Sequence, residues 1–245
     1  MKGCREVLSL YLRDLLFPPR CAGCGERLIP FDPARPALCP LCRTAWEAAG
    51  RASGLSGGGE EPAAGVYLVP YRPEDPGGVP QQVIYHIKHR DDSRVFDWLA
   101  ARLAEAVTRQ LEAEGILPDT VILTYPPRRR SAVHREGFDQ ARRLAVCLSR
   151  RLGVPCLSLI RRPAGSVRGA GREQKKLNAD QRKTNAATSY VLSGDASSRL
   201  SGRFVVLVDD LRTTGATLSA CSALLTSAGA SGVLWATIAR TASRK

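Results

Sequence analysis

The stretch that decides the fold is Phe204-Val-Val-Leu-Val-Asp-Asp-Leu-Arg-Thr-Thr-Gly-Ala-Thr-Leu218. It begins with a continuous apolar run, which is typical of a strand buried on both faces of a parallel sheet. Two carboxylates end this run, a turn rich in Thr and Gly follows, and the next residues have helical character. The stretch therefore predicts a strand, a turn and a helix, with an acidic pair after the strand.

This turn has the groups that bind a phosphate. Backbone N–H groups at a helix N-terminus bind anions, its three threonines add hydroxyl donors, and its glycine lets the backbone approach closely. The acidic pair would repel a bare phosphate, but it can accept hydrogen bonds from sugar hydroxyls or bind Mg²⁺ through water. The turn therefore indicates a site for a ribose 5-phosphate; ordinary capping by Asp and Thr is the simpler alternative. The candidate ligand residues are Asp209, Asp210, Thr213, Thr214, Gly215, Ala216 and Thr217.

Strands and helices alternate outward from this unit. The apolar patterns predict strands at residues 66–71, 121–125, 156–160, 204–208 and 233–239, and helices at residues 95–114, 138–152 and 217–228. Such alternation predicts an α/β fold, with a parallel sheet covered by helices on both faces. Ligands of these sheets bind beyond the carboxyl ends of the strands.

Two C-x-x-C pairs, Cys21-Ala-Gly-Cys24 and Cys39-Pro-Leu-Cys42, precede this region. The spacing is typical of a structural zinc site with four thiolates; disulfides or an iron–sulfur centre are the alternatives. A closed site of this kind folds a small module and leaves no open position for catalysis. Since four of the eight cysteines fall in these pairs, we expect a reduced, cytoplasmic protein rather than a secreted disulfide scaffold.

The chain carries 36 Lys and Arg against 23 Asp and Glu, a formal net charge of +13. This charge favours polyanionic or phosphorylated partners, although it also serves solubility. No run of 18 apolar residues exists, so we expect no membrane span. Residues 1–17 read as a short helix rather than a signal peptide, because Arg13 and Asp14 interrupt the apolar stretch.

Composition divides the chain into three parts. Residues 1–50 hold the helix and the Cys4 zinc module, and residues 51–65 form a linker rich in Gly, Ser and Ala. Residues 66–245 form the α/β domain, whose core is residues 118–245. Within it, residues 162–185 form a long, basic, non-periodic segment, and segments of this kind are usually functional or disordered.

The acidic turn resembles the PRPP-binding loop of type I phosphoribosyltransferases. With a double C-x-x-C module before it, the chain is similar to the ComF family over nearly its whole length. The other stretches that carry the resemblance are Asp14-Leu-Leu-Phe-Pro-Pro-Arg-Cys21, Ile87-Lys88, His134-Arg-Glu-Gly-Phe-Asp-Gln-Ala141, and the set Gln174, Leu177, Arg182 and Asn185. The chain departs from the family pattern at His89, His134, Glu136, Asp139 and Arg212.

The resemblance implies roles for these residues. The acidic pair would hold the ribose 2- and 3-hydroxyls, and the turn after it would hold the 5-phosphate. The loop with Arg128 and Arg129 would contact pyrophosphate, although it also reads as a solvated basic turn. Residues 162–185 would close over PRPP, or grip a nucleic acid backbone, and their candidate contacts are Arg172, Gln174, Lys175 and Arg182.

Two functions follow from the resemblance as expectations. One is a Mg²⁺-dependent phosphoribosyltransferase with an unknown acceptor, linked to natural competence and DNA uptake. The other is a non-catalytic protein that uses the fold as a scaffold to bind single-stranded DNA or a DNA-uptake motor protein. A PRPP-sensing regulator without turnover is a third, weaker option. Fold alone does not choose among them, because function depends on the site.

Overall fold

The structure, a computed structural model, describes residues 14–29, 32, 34–52, 65–163 and 190–241 of the 245 residues. Its centre is a four-stranded sheet in the order β1-β6-β5-β2, in which all neighbours are parallel. These strands are β1 (Gly65–Tyr71), β2 (Val121–Thr124), β5 (Phe204–Arg212) and β6 (Gly232–Thr241). Two short strands, β3 (Ile160–Arg161) and β4 (Val191–Leu192), pair antiparallel beside it.

The helices connect and cover these strands. They are α1 (Pro40–Ala52), α2 (Val79–His89), α3 (Ser93–Ala113), α4 (Arg130–Glu136), α5 (Gln140–Leu152), α6 (Ala196–Leu200) and α7 (Ala216–Ser227). No helix within the described ranges is long and apolar enough to cross a membrane.

Both faces of the sheet are buried, as the continuous apolar run of β5 predicts. Val206 and Val208 belong to a core cluster that includes side chains of α3 and α5. Val205 and Leu207 alternate with them and belong to a second cluster that includes side chains of α7. Because successive side chains of a strand point to opposite faces, this alternation places one helical layer on each side.

The cysteine-rich segment packs into the same core as the sheet. Cys21, Leu38, Cys42 and Trp46 are buried in the cluster that also holds the β1 side chain Val69. At its edge, the ring of Trp46 meets the ring of a tryptophan on α3 edge-on, with the centroids 5.0 Å apart. The described part of this segment is therefore continuous with the α/β core, while the domain boundaries stay a prediction.

Most predicted elements are present, with shifted ends. The strands at 66–71, 121–125 and 233–239 and the helices at 95–114, 138–152 and 217–228 match β1, β2, β6, α3, α5 and α7 to within one to two residues. Strand β5 is four residues longer than predicted, because its pairing with β6 continues to Arg212.

The strand predicted at residues 156–160 is wrong in extent. Only the residues around Cys156 run alongside β2, where Leu123 N–H donates to the Pro155 carbonyl and the Leu157 N–H donates to the Leu123 carbonyl. The chain then leaves the sheet, and Ile160 pairs with β4 instead. Helices α1, α2, α4 and α6 were not predicted. Of the helix predicted over residues 1–17, only residues 14–17 are described; residues 14–16 are helical, and the helix ends before Phe17.

Candidate functional site

The acidic pair lies inside a central strand rather than after it. Asp209 and Asp210 belong to the carboxyl-terminal part of β5, whose neighbours are β6 and β2. Both are half-buried, and the Asp210 N–H donates to Asp209 Oδ1 over 2.9 Å. The pair therefore lies at the edge of the sheet where ligands of parallel α/β folds bind.

The surroundings of Asp209 favour its protonated form. Burial raises the pKa of its carboxyl well above the usual range, and the negative charges of Asp210 and Asp139 raise it further, against the backbone N–H of Asp210. A proton on Asp209 removes the repulsion between the two carboxyl groups, and a bound cation relieves the same repulsion.

The turn after β5 has the shape that the sequence predicts. Gly215 has φ 75° and ψ −1°, a left-handed conformation that favours glycine, and it immediately precedes α7. A Cβ on Gly215 would lie 3.3 Å from the Trp235 ring, so the turn also packs closely on the sheet. Thr213 and Thr214 are exposed, and Thr214 Oγ1 accepts from the first N–H of α7 over 3.4 Å.

Ala216 and Thr217 form the first turn of α7. Thr217 is half-buried. Burial raises the pKa of the Tyr190 phenol, and the hydroxyl of Thr217 lowers it. All seven candidate residues of the ribose-phosphate site thus lie within one continuous strand, turn and helix start. Their role in binding stays a prediction.

The basic loop after β2 reaches the same edge of the sheet, because β2 neighbours β5. Arg128 is held there by α5: its N–H donates to Asp139 Oδ2 over 3.1 Å, and its guanidinium donates to Gln140 Oε1. Arg129 stands at the start of α4. The structure therefore brings Arg128 near the acidic turn, through the same Asp139 that influences Asp209.

Arg172, Gln174, Lys175 and Arg182 lie outside the described residues.

The segment from His134 to Ala141 contains the end of α4 and the start of α5. Asp139 caps α5 by accepting the Arg142 N–H at its Oδ1 over 3.1 Å. Glu136 Oε2 lies 3.2 Å from His89 Nδ1, so two of the residues that depart from the family pattern contact each other. Hydrogen bonding by Arg135 is the main cause that lowers the pKa of Glu136, and the charge and hydrogen bond of His89 lower it further. These contacts hold α2 against α4.

Three residues that sequence reasoning did not assign to the site lie in it. Asp139 accepts the Arg128 N–H, and its charge adds to the effect of burial in raising the pKa of Asp209. Arg162 donates to a carbonyl of the basic loop, and Tyr190 packs with side chains of α7. The sequence offers one signal for Arg162 and Tyr190, because they flank the long non-periodic segment. If the strands on either side of that segment pair, its two ends must lie close together.

The four predicted metal ligands come together. The sulfurs of Cys21, Cys24, Cys39 and Cys42 all lie within 4.8 Å of one another, and Cys24 Sγ is 3.8 Å from Cys39 Sγ. Four sulfurs at about 2.3 Å from a central zinc ion would be about 3.8 Å apart in a tetrahedron. The donor set and its spacing fit a tetrahedral thiolate-bound metal.

Backbone N–H groups turn toward two of these sulfurs. Gly23 and Cys39 donate to Cys21 Sγ over 3.4 and 3.3 Å, and Cys42 donates to Cys39 Sγ over 3.5 Å. Burial raises the pKa of the Cys21 thiol, but the backbone N–H groups of Cys24, Cys39 and Gly23 outweigh it and lower it to about 7. The site therefore favours a thiolate at Cys21, the form that binds metal.

Comparisons with known proteins give likenesses at the level of structure. No protein-family model matches the chain, and no curated protein matches it. A purine phosphoribosyltransferase from Pyrococcus horikoshii is 20% identical with a TM-score of 0.32, over 60% of this chain and 78% of that one. An adenine phosphoribosyltransferase from Thermoanaerobacter pseudethanolicus is 25% identical with a TM-score of 0.34, over 60% and 68%.

A glutamine PRPP amidotransferase from B. subtilis, complexed with ADP and GMP, is 18% identical with a TM-score of 0.35. The likeness covers 62% of this chain but only 30% of that one. All three TM-scores lie below 0.5, so these likenesses assign no substrate or role to this chain.

Proposed function

We propose that this chain binds PRPP, or a related ribose 5-phosphate ligand, together with Mg²⁺. The observation that carries the proposal is the half-buried acidic pair of β5, joined by a left-handed glycine turn to the N-terminus of α7. In this proposal the acidic pair is the acceptor for a diol, and the turn that begins at Thr213 is the anion-binding group. A ribose 5-phosphate carries both complementary groups.

Each part of the site would act on one part of the ligand. Asp209 and Asp210 would accept hydrogen bonds from the ribose hydroxyls, directly or through water on Mg²⁺. The turn from Thr213 to Thr217 would bind the 5-phosphate through hydroxyls and the N–H groups at the start of α7. Mg²⁺, when bound, would neutralise charge on the pyrophosphate. Arg128 and Arg129 would lie on the pyrophosphate side.

The reaction class that fits is phosphoribosyl transfer. The bond from the anomeric carbon to pyrophosphate breaks with its electron pair leaving on pyrophosphate, and an acceptor nucleophile forms the new bond to that carbon. The protein's part would be positioning and charge stabilisation. We further place the chain with the ComF family as a cytoplasmic protein of DNA uptake, whose four paired cysteines hold a structural zinc ion.

Calorimetric titration of the zinc-loaded protein with PRPP and Mg²⁺ tests this function. We expect micromolar binding that disappears without Mg²⁺ and in Asp209→Asn/Asp210→Asn. The control is Asp119→Asn/Asp195→Asn, which makes the same change in net charge at two exposed positions. Equal affinity in both double variants would refute the assignment of the acidic pair.

A second candidate function, binding of single-stranded DNA, is favoured by a basic groove away from this site. The groove has a volume of about 520 Å³ and lies between the cysteine-rich segment and α3. Arg35, Arg43 and Arg151 line it beside Trp98, with Asp97 as its carboxylate. Arg94 also lines it, but its guanidinium is bonded to Asp92 and to two backbone carbonyls. Proteins bind single strands with cations that contact the phosphate backbone and with aromatic rings on which the bases stack.

The salt dependence of oligothymidine binding, followed by fluorescence anisotropy, tests this second function. For single strands, each neutralised phosphate contributes about 0.7 to the slope of log K against log salt. Arg43→Ala/Arg151→Ala should lower the slope by about 1.4. Arg199→Ala, at an exposed site paired with Asp195, should leave it unchanged. An unchanged slope in the double variant would remove the groove from consideration.

A further inference from the structure

One arginine connects the two loops of the candidate site. Arg162 Nε donates to the carbonyl of Pro127 in the basic loop over 3.0 Å, and its Nη2 donates to the phenol oxygen of Tyr190 over 2.8 Å. Its guanidinium carbon also lies 4.6 Å from the centre of the Tyr190 ring. Two donors of one planar group thus hold two separate segments of the chain.

Tyr190 also contacts α7, the helix that follows the turn from Thr213 to Thr217. It is buried in the core cluster that contains Leu218 and Cys221 of α7. Burial is the main cause that raises the pKa of its phenol, and the nearby hydroxyl of Thr217 lowers it. Contacts therefore run from Pro127 through Arg162 and Tyr190 to the first turns of α7.

The buried thiol of Cys221 is influenced by both Arg162 and Asp209. Burial is the main cause that raises the pKa of its thiol to about 12; the carboxylate of Asp209 raises it further, and the guanidinium of Arg162 lowers it. The guanidinium and the carboxylate both act on the same buried sulfur. Arg162 and Asp209 therefore both lie within the range of electrostatic interaction with Cys221. Tyr190, which Arg162 contacts, packs with Cys221 on the side of the sheet covered by α7.

The fold fixes Arg162 and Tyr190 as neighbours. Arg162 directly follows β3 and Tyr190 directly precedes β4, and these strands pair with Arg161 opposite Val191. The antiparallel pair therefore brings two residues that are 28 positions apart to within hydrogen-bond distance. Their side chains meet at the edge of the sheet that carries the candidate site.

We propose that Arg162 and Tyr190 are positioning residues that set the separation between the basic loop and the turn from Thr213 to Thr217. A fixed separation selects a ligand that has anionic groups at both ends of its ribose. This inference rests on the proposed function and refines it. A ligand with a single phosphate needs only the turn. A ligand such as PRPP needs both loops at a fixed distance.

Two probes separate this role from a general structural one: PRPP and ribose 5-phosphate, each titrated with Mg²⁺. Tyr190→Phe keeps the buried ring and removes the hydroxyl. We expect PRPP affinity to fall about tenfold, the effect of losing one buried hydrogen bond, and ribose 5-phosphate affinity to fall less than about threefold. Tyr85→Phe is the matched control, because Tyr85 is exposed on α2.

Arg162→Lys tests whether geometry or charge matters. A lysine keeps the charge but cannot present two donors in a planar fork. We expect it to lose PRPP affinity as Arg162→Ala does. Wild-type affinity in Arg162→Lys would overturn the positioning role, and so would an equal loss for both probes in Tyr190→Phe.

The proposed function fails separately from this inference. If wild-type protein binds neither probe, the ribose-phosphate site is wrong, and the inference that rests on it is wrong too. If wild-type protein binds both probes and Tyr190→Phe binds them as wild type does, the site is retained and only the positioning role is overturned.

Discussion

Asp92 links the cysteine-rich segment to the α/β core through Arg94. Replacing Asp92 should therefore lower the free energy of unfolding. Its side chain caps α3 by accepting the Arg94 N–H over 3.1 Å, and it also pairs with the Arg94 guanidinium at 2.7 Å and with His86 at 3.3 Å. The same guanidinium donates to the carbonyls of Pro36 and Arg20, over 2.9 and 3.3 Å.

The size of the effect follows from the pKa of Asp92. Burial raises it, but the hydrogen bond from His86 and the charge of Arg94 outweigh burial and lower the pKa from 3.8 to about 2. A lowering of this size corresponds to about 2.5 kcal/mol of stability from the ionised carboxylate. This stability is present above about pH 4, and it is lost as the pH falls toward 2, because the folded state has the lower pKa.

Asp92→Asn isolates the charge, because asparagine caps a helix as well as aspartate does. In urea unfolding of the zinc-loaded protein at pH 7, we expect a loss of about 2 kcal/mol. Asp92→Ala also removes the cap and should lose about 1 kcal/mol more. The difference between wild type and Asp92→Asn should shrink as the pH falls from about 4 toward 2, because the folded state has the lower pKa.

The neighbouring Asp91 provides the control. It pairs with Arg143 at 2.8 Å, but about half of its side chain is exposed, so Asp91→Asn should cost less than about 1 kcal/mol. If Asp92→Asn lowers the free energy of unfolding by no more than Asp91→Asn does, the buried Asp92 carboxylate does not stabilise the fold as its pKa implies.

Three further outcomes are expected. Gly23→Ala should weaken zinc binding in a chelator competition, because its Cβ would lie 2.9 Å from a ligand sulfur, while Gly77→Ala, with no atom within 4 Å, should not. Gly232→Ala should destabilise the fold by about 1–3 kcal/mol in urea unfolding, since its Cβ would lie 2.5 Å from the Phe204 ring. The buried Cys221 thiol, with its pKa raised to about 12, should resist disulfide reagents at pH 8 until the protein unfolds; rapid labelling of the native protein would contradict its burial.

Much of this fold could be predicted because its signals lie in short stretches of consecutive residues. The apolar run of β5, the glycine turn and α7 follow from consecutive residues, and the four paired cysteines meet as their spacing predicts. The end of β5 could not be predicted in this way. Three of its last four residues are charged, and the segment stays in the sheet because Thr237 and later residues of β6 continue to pair with it.

Contacts between distant residues explain what the sequence did not predict. The apolar residues 156–160 suggest a whole strand, but the chain turns away after Leu157, whose carbonyl accepts the Thr124 hydroxyl over 2.8 Å. Arg162 and Tyr190 enter the site only because β3 and β4 pair across a long segment. Neither contact has a signature in consecutive residues.

A crystal structure of the zinc-loaded protein with ribose 5-phosphate and Mg²⁺ would locate the ligand. We expect ribose hydroxyls within about 3.2 Å of the Asp209 and Asp210 carboxylates or of water bound to Mg²⁺. We also expect the phosphate on the N–H groups between Thr213 and Thr217. A ligand bound elsewhere, such as in the arginine groove beside Trp98, with the acidic pair unchanged, would contradict the proposed ribose-phosphate site.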